Sequence, residues 1–351
     1  MSPKVDITPA DVNSAAGTFA REQSALDDTW THLEQVLDVA QGMAGNDNAA
    51  ATFAARYDPA AKAAWSAFGA GIRTLAGVAN GLVTTANNYL KAEAHSTARG
   101  SQTPQLVSPP AVIDDIVMPG PAPLKGDGDS DVPGFLQKFW PNGHPDRLRD
   151  AAGGWTMAAQ SIDNLVAGLS QAVVGITDNN RTDCVAAMSE FWDSLAGPDG
   201  VFGELVNTCH KLAGACERYA QAIDDAHGRL KTALAEAGIA VGVTTVVGIL
   251  LTPFTLGASD EAAAAADAAE VEAIATPIVE EFEATVVAEA DAAIGADVAA
   301  ALESVASDAP TVEAVEAETT EVQSAVDAEL GGEEGHRPRG RDRAVSRGHK
   351  I

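Results

Sequence analysis

The chain has 351 residues, of which 46% are hydrophobic but only 5% aromatic, and its formal net charge is −28. Because alanine supplies much of the hydrophobic content, we expect helices packed on helices rather than a β-sandwich, which needs β-branched and aromatic residues. The acidic excess argues against a nucleic-acid partner, since phosphate binding requires a basic face. The sequence therefore predicts an all-α protein that binds no nucleic acid.

Residues 8–40 repeat apolar side chains at steps of three and four, the spacing of one helix face. Gln23 alone interrupts this series. A glycine-rich turn follows at residues 42–47, and a second apolar stripe runs through residues 68–89 at heptad steps. Residues 1–100 are therefore predicted to form an antiparallel helical hairpin.

Residues 101–133 contain seven prolines and show no apolar period, which predicts a linker or an extended strap. Long apolar series at heptad steps resume after it, so a second helical module is expected over residues 134–236. The predicted architecture is a pair of tandem antiparallel hairpins, or a bundle made from them.

Residues 237–258 carry no charge and are long enough to span a bilayer. Gly238 and Gly242 have the spacing that lets membrane helices pack closely. Pro253 and a high content of glycine and threonine weaken the segment as a membrane helix. Two interpretations therefore stand with equal weight, a membrane-active or re-entrant segment and a buried helical hairpin.

Residues 259–334 contain 21 Asp and Glu and neither Lys nor Arg. Residues 274–286 and 294–305 each predict an apolar helix face, with the acidic positions on solvated faces. Like charges destabilise such helices, so we expect partial order that decays to disorder beyond about residue 310. Residues 335–351 form a basic tail to which we assign no role.

No residue pattern predicts a catalytic, metal or cofactor site. Cys209 and His210 are neighbours and point about 100° apart on a helix, while Cys209 and Cys216 lie two turns, about 10 Å, apart. That distance is too long for a disulfide or a shared zinc ion. Structural cysteines are favoured, and a bridge from Cys184 to Cys209 or Cys216 stays open if the protein leaves the cytosol.

The N-terminus lacks the basic and then apolar run of a cleavable signal peptide. A hairpin without such a leader, ending in Tyr89-x-x-x-Glu93, resembles the type VII (ESX) secretion substrates of the WXG class. Several blocks between residues 5 and 235 resemble more closely the N-terminal region of the CpnT-like family, mycobacterial outer-membrane channel proteins with a C-terminal necrotising toxin. These blocks are residues 42–61, 87–94, 139–155 and 209–227.

The resemblance implies roles for particular residues and partners. Tyr89 and Glu93 match the export motif of the family, and Gly42, Met43 and Gly45 occupy the hairpin turn where the W-x-G motif normally lies. This sequence has no literal W-x-G. The implied partners are the type VII secretion machinery and a small WXG-type heterodimer docked on a hydrophobic face. The implied location is outside the cell or at its surface or outer envelope.

The acidic C-terminal region departs from the family, because it has no histidine and is a poor candidate for a catalytic domain. We expect the toxin to be lost, truncated or supplied elsewhere. The leading hypothesis is a secreted export or delivery module that is not an enzyme. The alternative is a membrane-inserting channel or pore component, for which residues 237–258 are the main support.

Overall fold

A computed structural model describes residues 7–96, 103–113, 117–128, 136–180, 183–237 and 261–309. These residues form seven α-helices and one short 3-10 helix, and no β-strand lies among them. The helices are α1 (Pro9–Val39), α2 (Asn48–Ser96), the 3-10 helix (Gln137–Phe139), α3 (Pro145–Asn179), α4 (Asp183–Ala196), α5 (Val201–Glu236), α6 (Glu261–Ile294) and α7 (Val298–Asp308). The predicted all-α class is confirmed.

The apolar stripes of the two predicted hairpins are buried in a single core. α1 packs against α2 and α3, and α5 packs against α2 and α3. Trp155 of α3 is fully buried, its indole N–H donates to the Tyr57 hydroxyl of α2 at 2.8 Å, and its ring lies 5.7 Å from that of Trp65. Gly71 of α2 lies so close to α5 that a Cβ there would meet the Phe202 ring at 3.0 Å. Each hairpin therefore covers the apolar face of the other.

A second, smaller core lies where the 3-10 helix meets the end of α5 and the beginning of α6. Its buried residues are Leu136, Phe139, Trp140, Leu230, Leu234, Val271, Ala275 and Ile278. The ring of Trp140 stacks on His227, with centroids 4.1 Å apart, and His227 Nε2 lies 2.7 Å from the carbonyl oxygen of Pro141. Burial lowers the pKa of His227, which favours the neutral ring in this core.

An extended segment without helices, here called the strap, comprises residues 103–113 and 117–128. The fully buried Gln23 side chain donates to the Ile113 carbonyl and accepts from the Ile113 N–H, both at 2.9 Å. Asn87 clamps the backbone of Val107 in the same two-way manner, at 3.0 and 2.8 Å. The interruption of the α1 stripe at Gln23 is thus the attachment point of the strap.

The turn between α1 and α2 is held by backbone bonds to the strap. The N–H of Gly42 donates to the Pro123 carbonyl at 3.0 Å, and the N–H of Ala44 donates to the Leu124 carbonyl at 3.1 Å. Gly42 and Gly45 both have positive φ, +74° and +78°. Such φ values strain any residue with a Cβ, so both positions favour glycine.

We expect Gln23→Leu to lower the free energy of unfolding by about 1–2 kcal/mol, because it leaves the partly buried amide and carbonyl of Ile113 without the Gln23 side chain as their partner. Urea denaturation of the full chain measures the loss. Proteolysis within residues 103–113 should also become faster.

Gln160→Leu on α3 is the matched control, since Gln160 is exposed. It should change the free energy of unfolding by less than about 0.5 kcal/mol. Equal effects of the two substitutions would contradict a structural role for the Gln23 clamp.

We expect Gly45→Ala to destabilise the protein by at least about 1 kcal/mol, because of the positive φ. The new Cβ would also collide with Asn142, because the side-chain oxygen of Asn142 would lie well inside van der Waals distance. Gly17→Ala in α1 is the control, where the nearest atom is 3.8 Å from the new Cβ and a small stabilisation is expected. Thermal unfolding midpoints of the two variants should move in opposite directions.

Candidate functional site

The family resemblance singles out a turn and an export motif, and these lie near opposite ends of α2. The turn with Gly42, Met43 and Gly45 precedes the first residue of α2, whereas Tyr89 and Glu93 lie near its C-terminus. At a rise of 1.5 Å per residue, Tyr89 is about 60 Å from the beginning of the helix. The structure therefore does not bring the turn and the predicted export motif together.

The turn is an enclosed junction between several elements. Met43 is buried, and its carbonyl accepts the N–H of His144 at 2.8 Å. The Tyr219 hydroxyl of α5 donates to the Ala44 carbonyl at 3.1 Å. Burial raises the pKa of Tyr219, and the nearby Asp47 carboxylate raises it further, so the hydroxyl stays a proton donor. These contacts indicate that the turn residues hold the second hairpin and the strap onto the first.

The predicted export motif lies at the end of the first hairpin. Tyr89 is partly buried and Glu93 is exposed, one helical turn apart on α2. α2 touches α1 where a Cβ on Gly71 would lie 3.2 Å from Leu26. Counted from this contact, Tyr89 is level with the first residue of α1, Pro9, and Glu93 lies about 6 Å beyond it.

The Asn87 clamp on the strap lies two residues before Tyr89. It fixes the backbone of Val107, which belongs to the strap, beside the C-terminal part of α2. Because residues two apart on a helix point in nearly opposite directions, the clamp holds the strap on a different side of α2 from Tyr89.

The cysteines are not arranged for nucleophilic chemistry. Cys209 and Cys216 are buried free thiols, while His210 is exposed. Burial raises the pKa of both thiols far above the ordinary value, which suppresses the reactive thiolate. The side chain of Cys184 lies outside the described residues, so no bridge to it is described.

The described residues bear on metal binding and on membrane crossing only in part. Within the described ranges, no group of three or more His, Cys, Asp or Glu could hold a metal ion. No helix in the same part of the chain is long and apolar enough to cross a membrane. Gly238, Gly242 and Pro253 fall outside the described residues, so both interpretations of that segment stay predictions.

The acidic C-terminal region has partners that the sequence did not reveal. As predicted, Ile278, Phe282 and Val286 of α6 are buried. The prediction that the acidic positions are simply solvated is incomplete, because four carboxylates of α6 pair with basic residues of other elements. The pairs are Arg56–Asp291, Lys138–Glu272, Arg218–Glu289 and Arg229–Glu281. No local signal marks these pairs, since their members lie 52 or more residues apart.

Comparison with known proteins gives one family match and a small group of relatives. Residues 130–278 match the model of the WXG100 like domain, which covers α3, α4, α5 and the first half of α6. The chain is 28% identical over 235 residues to the outer membrane channel protein CpnT of Mycobacterium tuberculosis (strain H37Rv) and of Mycobacterium bovis BCG. This alignment covers 65% of the chain and 27% of either relative. No solved structure matches.

A third relative is a putative NAD(+)–arginine ADP-ribosyltransferase, Mav, of Mycobacterium avium, 26% identical over 176 residues. That alignment covers 48% of this chain and 21% of the relative, and it is not evidence of enzymatic activity here. The chain spans about a quarter of the length of the curated relatives it matches. Residues 130–278 therefore resemble a WXG100 like domain, and the chain is similar over 65% of its length to the CpnT outer membrane channel proteins.

Proposed function

We propose that this chain is a type VII-secreted export or delivery module that reaches the cell surface or the medium. The observation that carries the proposal is the tyrosine and carboxylate pair at the end of a hairpin in a chain with a WXG100-like domain. The resemblance to CpnT-like proteins supports the same assignment.

The chemistry of the pair suits recognition by another protein. Tyr89 and Glu93 are four residues apart, so their side chains leave α2 on the same side. An aromatic ring and a carboxylate one turn apart offer an apolar and a charged contact of fixed orientation, as helix recognition requires. The export machinery is the proposed reader of this two-point contact.

We propose a small WXG-type heterodimer as a second partner, bound to the outside of the bundle. The apolar stripe of α1 is covered by α2 and α3 of the same chain, so it offers no free groove along the interior. A partner therefore has to contact the outer surface, where the export motif lies at the end of α2.

We expect Tyr89→Ala to abolish export while leaving the helical content and the unfolding midpoint nearly unchanged, because the ring is only partly buried. The amounts of wild type and variant in culture filtrate, washed surface and cell fractions measure export, in cells that carry the type VII system.

Lys91→Ala is the matched control, since Lys91 lies between the two motif residues but faces away from both on the helix. Its export should equal that of the wild type. Normal export of a folded Tyr89→Ala protein would refute the assignment of this motif.

A membrane-inserting channel or pore component is the alternative function. It is supported by the similarity to the CpnT outer membrane channel proteins and by the uncharged residues 237–258. The acidic residues that follow would be repelled by anionic lipid, which disfavours binding at a membrane surface without insertion.

If the alternative is correct, the purified full chain should release a trapped dye from liposomes. A chain with residues 238–258 replaced by a Gly–Ser linker of equal length should release none, because the uncharged segment is gone. Absence of leakage with the unmodified chain would remove the main support for a pore.

A further inference from the structure

The packing of α6 on the bundle joins two complementary surfaces. On α6, Val271, Ile278, Phe282 and Val286 form a buried apolar stripe, and the Phe282 ring lies 6.3 Å from that of Tyr219 on α5. Four carboxylates beside this stripe pair with four cations contributed by α2, the 3-10 helix and α5. We call the surface of the bundle that receives α6 the basic face, defined by Arg56, Lys138, Arg218, Tyr219 and Arg229.

The ion pairs of the described residues have an uneven distribution. Arg149 forms one group of pairs within the bundle, with Asp146, Glu217 and Asp224. A second group joins the bundle to α6, with N–O distances of 2.6 Å for Arg229–Glu281 and 3.0 Å for Arg218–Glu289. The four cations of the basic face are thus paired with carboxylates of an acidic helix.

The sequence of α6 gives the helix little stability of its own. It contains neither Lys nor Arg, so no oppositely charged pair within the helix supports it. Pro277 lies inside it and removes a backbone hydrogen bond. α6 therefore depends on the bundle both for the four cations that pair with its carboxylates and for the apolar surface that covers its stripe.

The contact between α5 and α6 is also incompletely packed. A cleft of about 430 Å³ lies between the two helices, bordered by Asp224, Gly228 and Arg229 on α5 and by Glu281 and Thr285 on α6. A Cβ placed on Gly228 would meet no atom within 4 Å. Beside this cleft the two helices share fewer dispersion contacts than they would in a close-packed core.

From these observations we propose that the basic face is a docking surface for acidic, alanine-rich amphipathic helices, which α6 occupies within the chain and which a partner helix of the same chemistry can occupy in its place. The charge complementarity and the apolar contact define the partner as a helix with carboxylates flanking a stripe of apolar residues like that of α6. A tethered α6 has a high effective concentration, so a partner binds only when α6 is loosened.

The experiment uses the full chain and a fluorescein-labelled peptide of residues 268–294. In one variant, Glu281→Lys with Glu289→Lys, the new lysines face Arg229 and Arg218 and loosen α6. This loosened chain should bind the peptide at least tenfold more tightly than the wild type in fluorescence anisotropy, and binding should weaken as NaCl is raised.

Two further variants of the loosened chain test where the peptide binds. Adding Arg218→Glu and Arg229→Glu restores opposite charges with the new lysines of α6 and removes the cations that the peptide needs, so peptide binding should return to the wild-type level. Adding Arg149→Gln instead should leave peptide binding unchanged, because Arg149 pairs with no residue of α6.

Hydrogen exchange of the loosened chain checks that α6 separates alone. Amides of α6 should exchange faster while those of α3 stay protected. The proposal would be overturned if the amides of α6 exchanged no faster than in the wild type, or if those of α3 lost protection together with them. It would also be overturned if peptide binding did not depend on the charges of Arg218 and Arg229. It would also be wrong if the loosened chain formed a dimer and took no peptide, since the face would then accept a second copy.

Discussion

Burial of the apolar stripe of α1 is the constraint on which the bundle depends. α2 covers one side of this stripe and α3 the other, with Leu33 and Phe19 almost fully buried. A Cβ on Gly154 would lie 2.9 Å from Val36, so glycine lets α3 approach α1 closely. Each large apolar side chain buried in this way contributes about 1.5–3 kcal/mol, and without α3 much of that contribution would be lost. The two hairpins therefore behave as one folding unit.

Local periodicity was enough to predict most of the helices and which side of each helix is buried. An apolar stripe depends only on residues three and four apart, so α1, α2, α3 and α5 and the buried side of α6 could be inferred from short windows of sequence. The partners of these stripes could not, because packing joins residues far apart in the chain. Gln23 illustrates the limit: its polarity was visible as an interruption, but its role depends on Ile113, 90 residues away.

The same limit applies to charge and to the candidate site. The surplus of carboxylates in residues 259–334 was visible, whereas their cations on α2 and α5 were not. The turn residues Gly42, Met43 and Gly45 came from a family resemblance, and the structure adds that they are buried and bonded to the strap and to the segment before α3. The proposed recognition of Tyr89 and Glu93 would depend on the surface of another protein, which the sequence of this chain does not encode.

The positions of the tryptophans have an optical consequence. Trp30, Trp65, Trp155 and Trp192 lie in the main core, whereas Trp140 lies in the second core, beside residues of α6 and stacked on His227. Indole emission depends on the polarity around the ring, so Trp140 is a natural fluorophore for the environment at the beginning of α6. The other four indoles monitor the bundle. A chain that keeps Trp140 alone would distinguish local opening from global unfolding by its emission spectrum, without an attached dye.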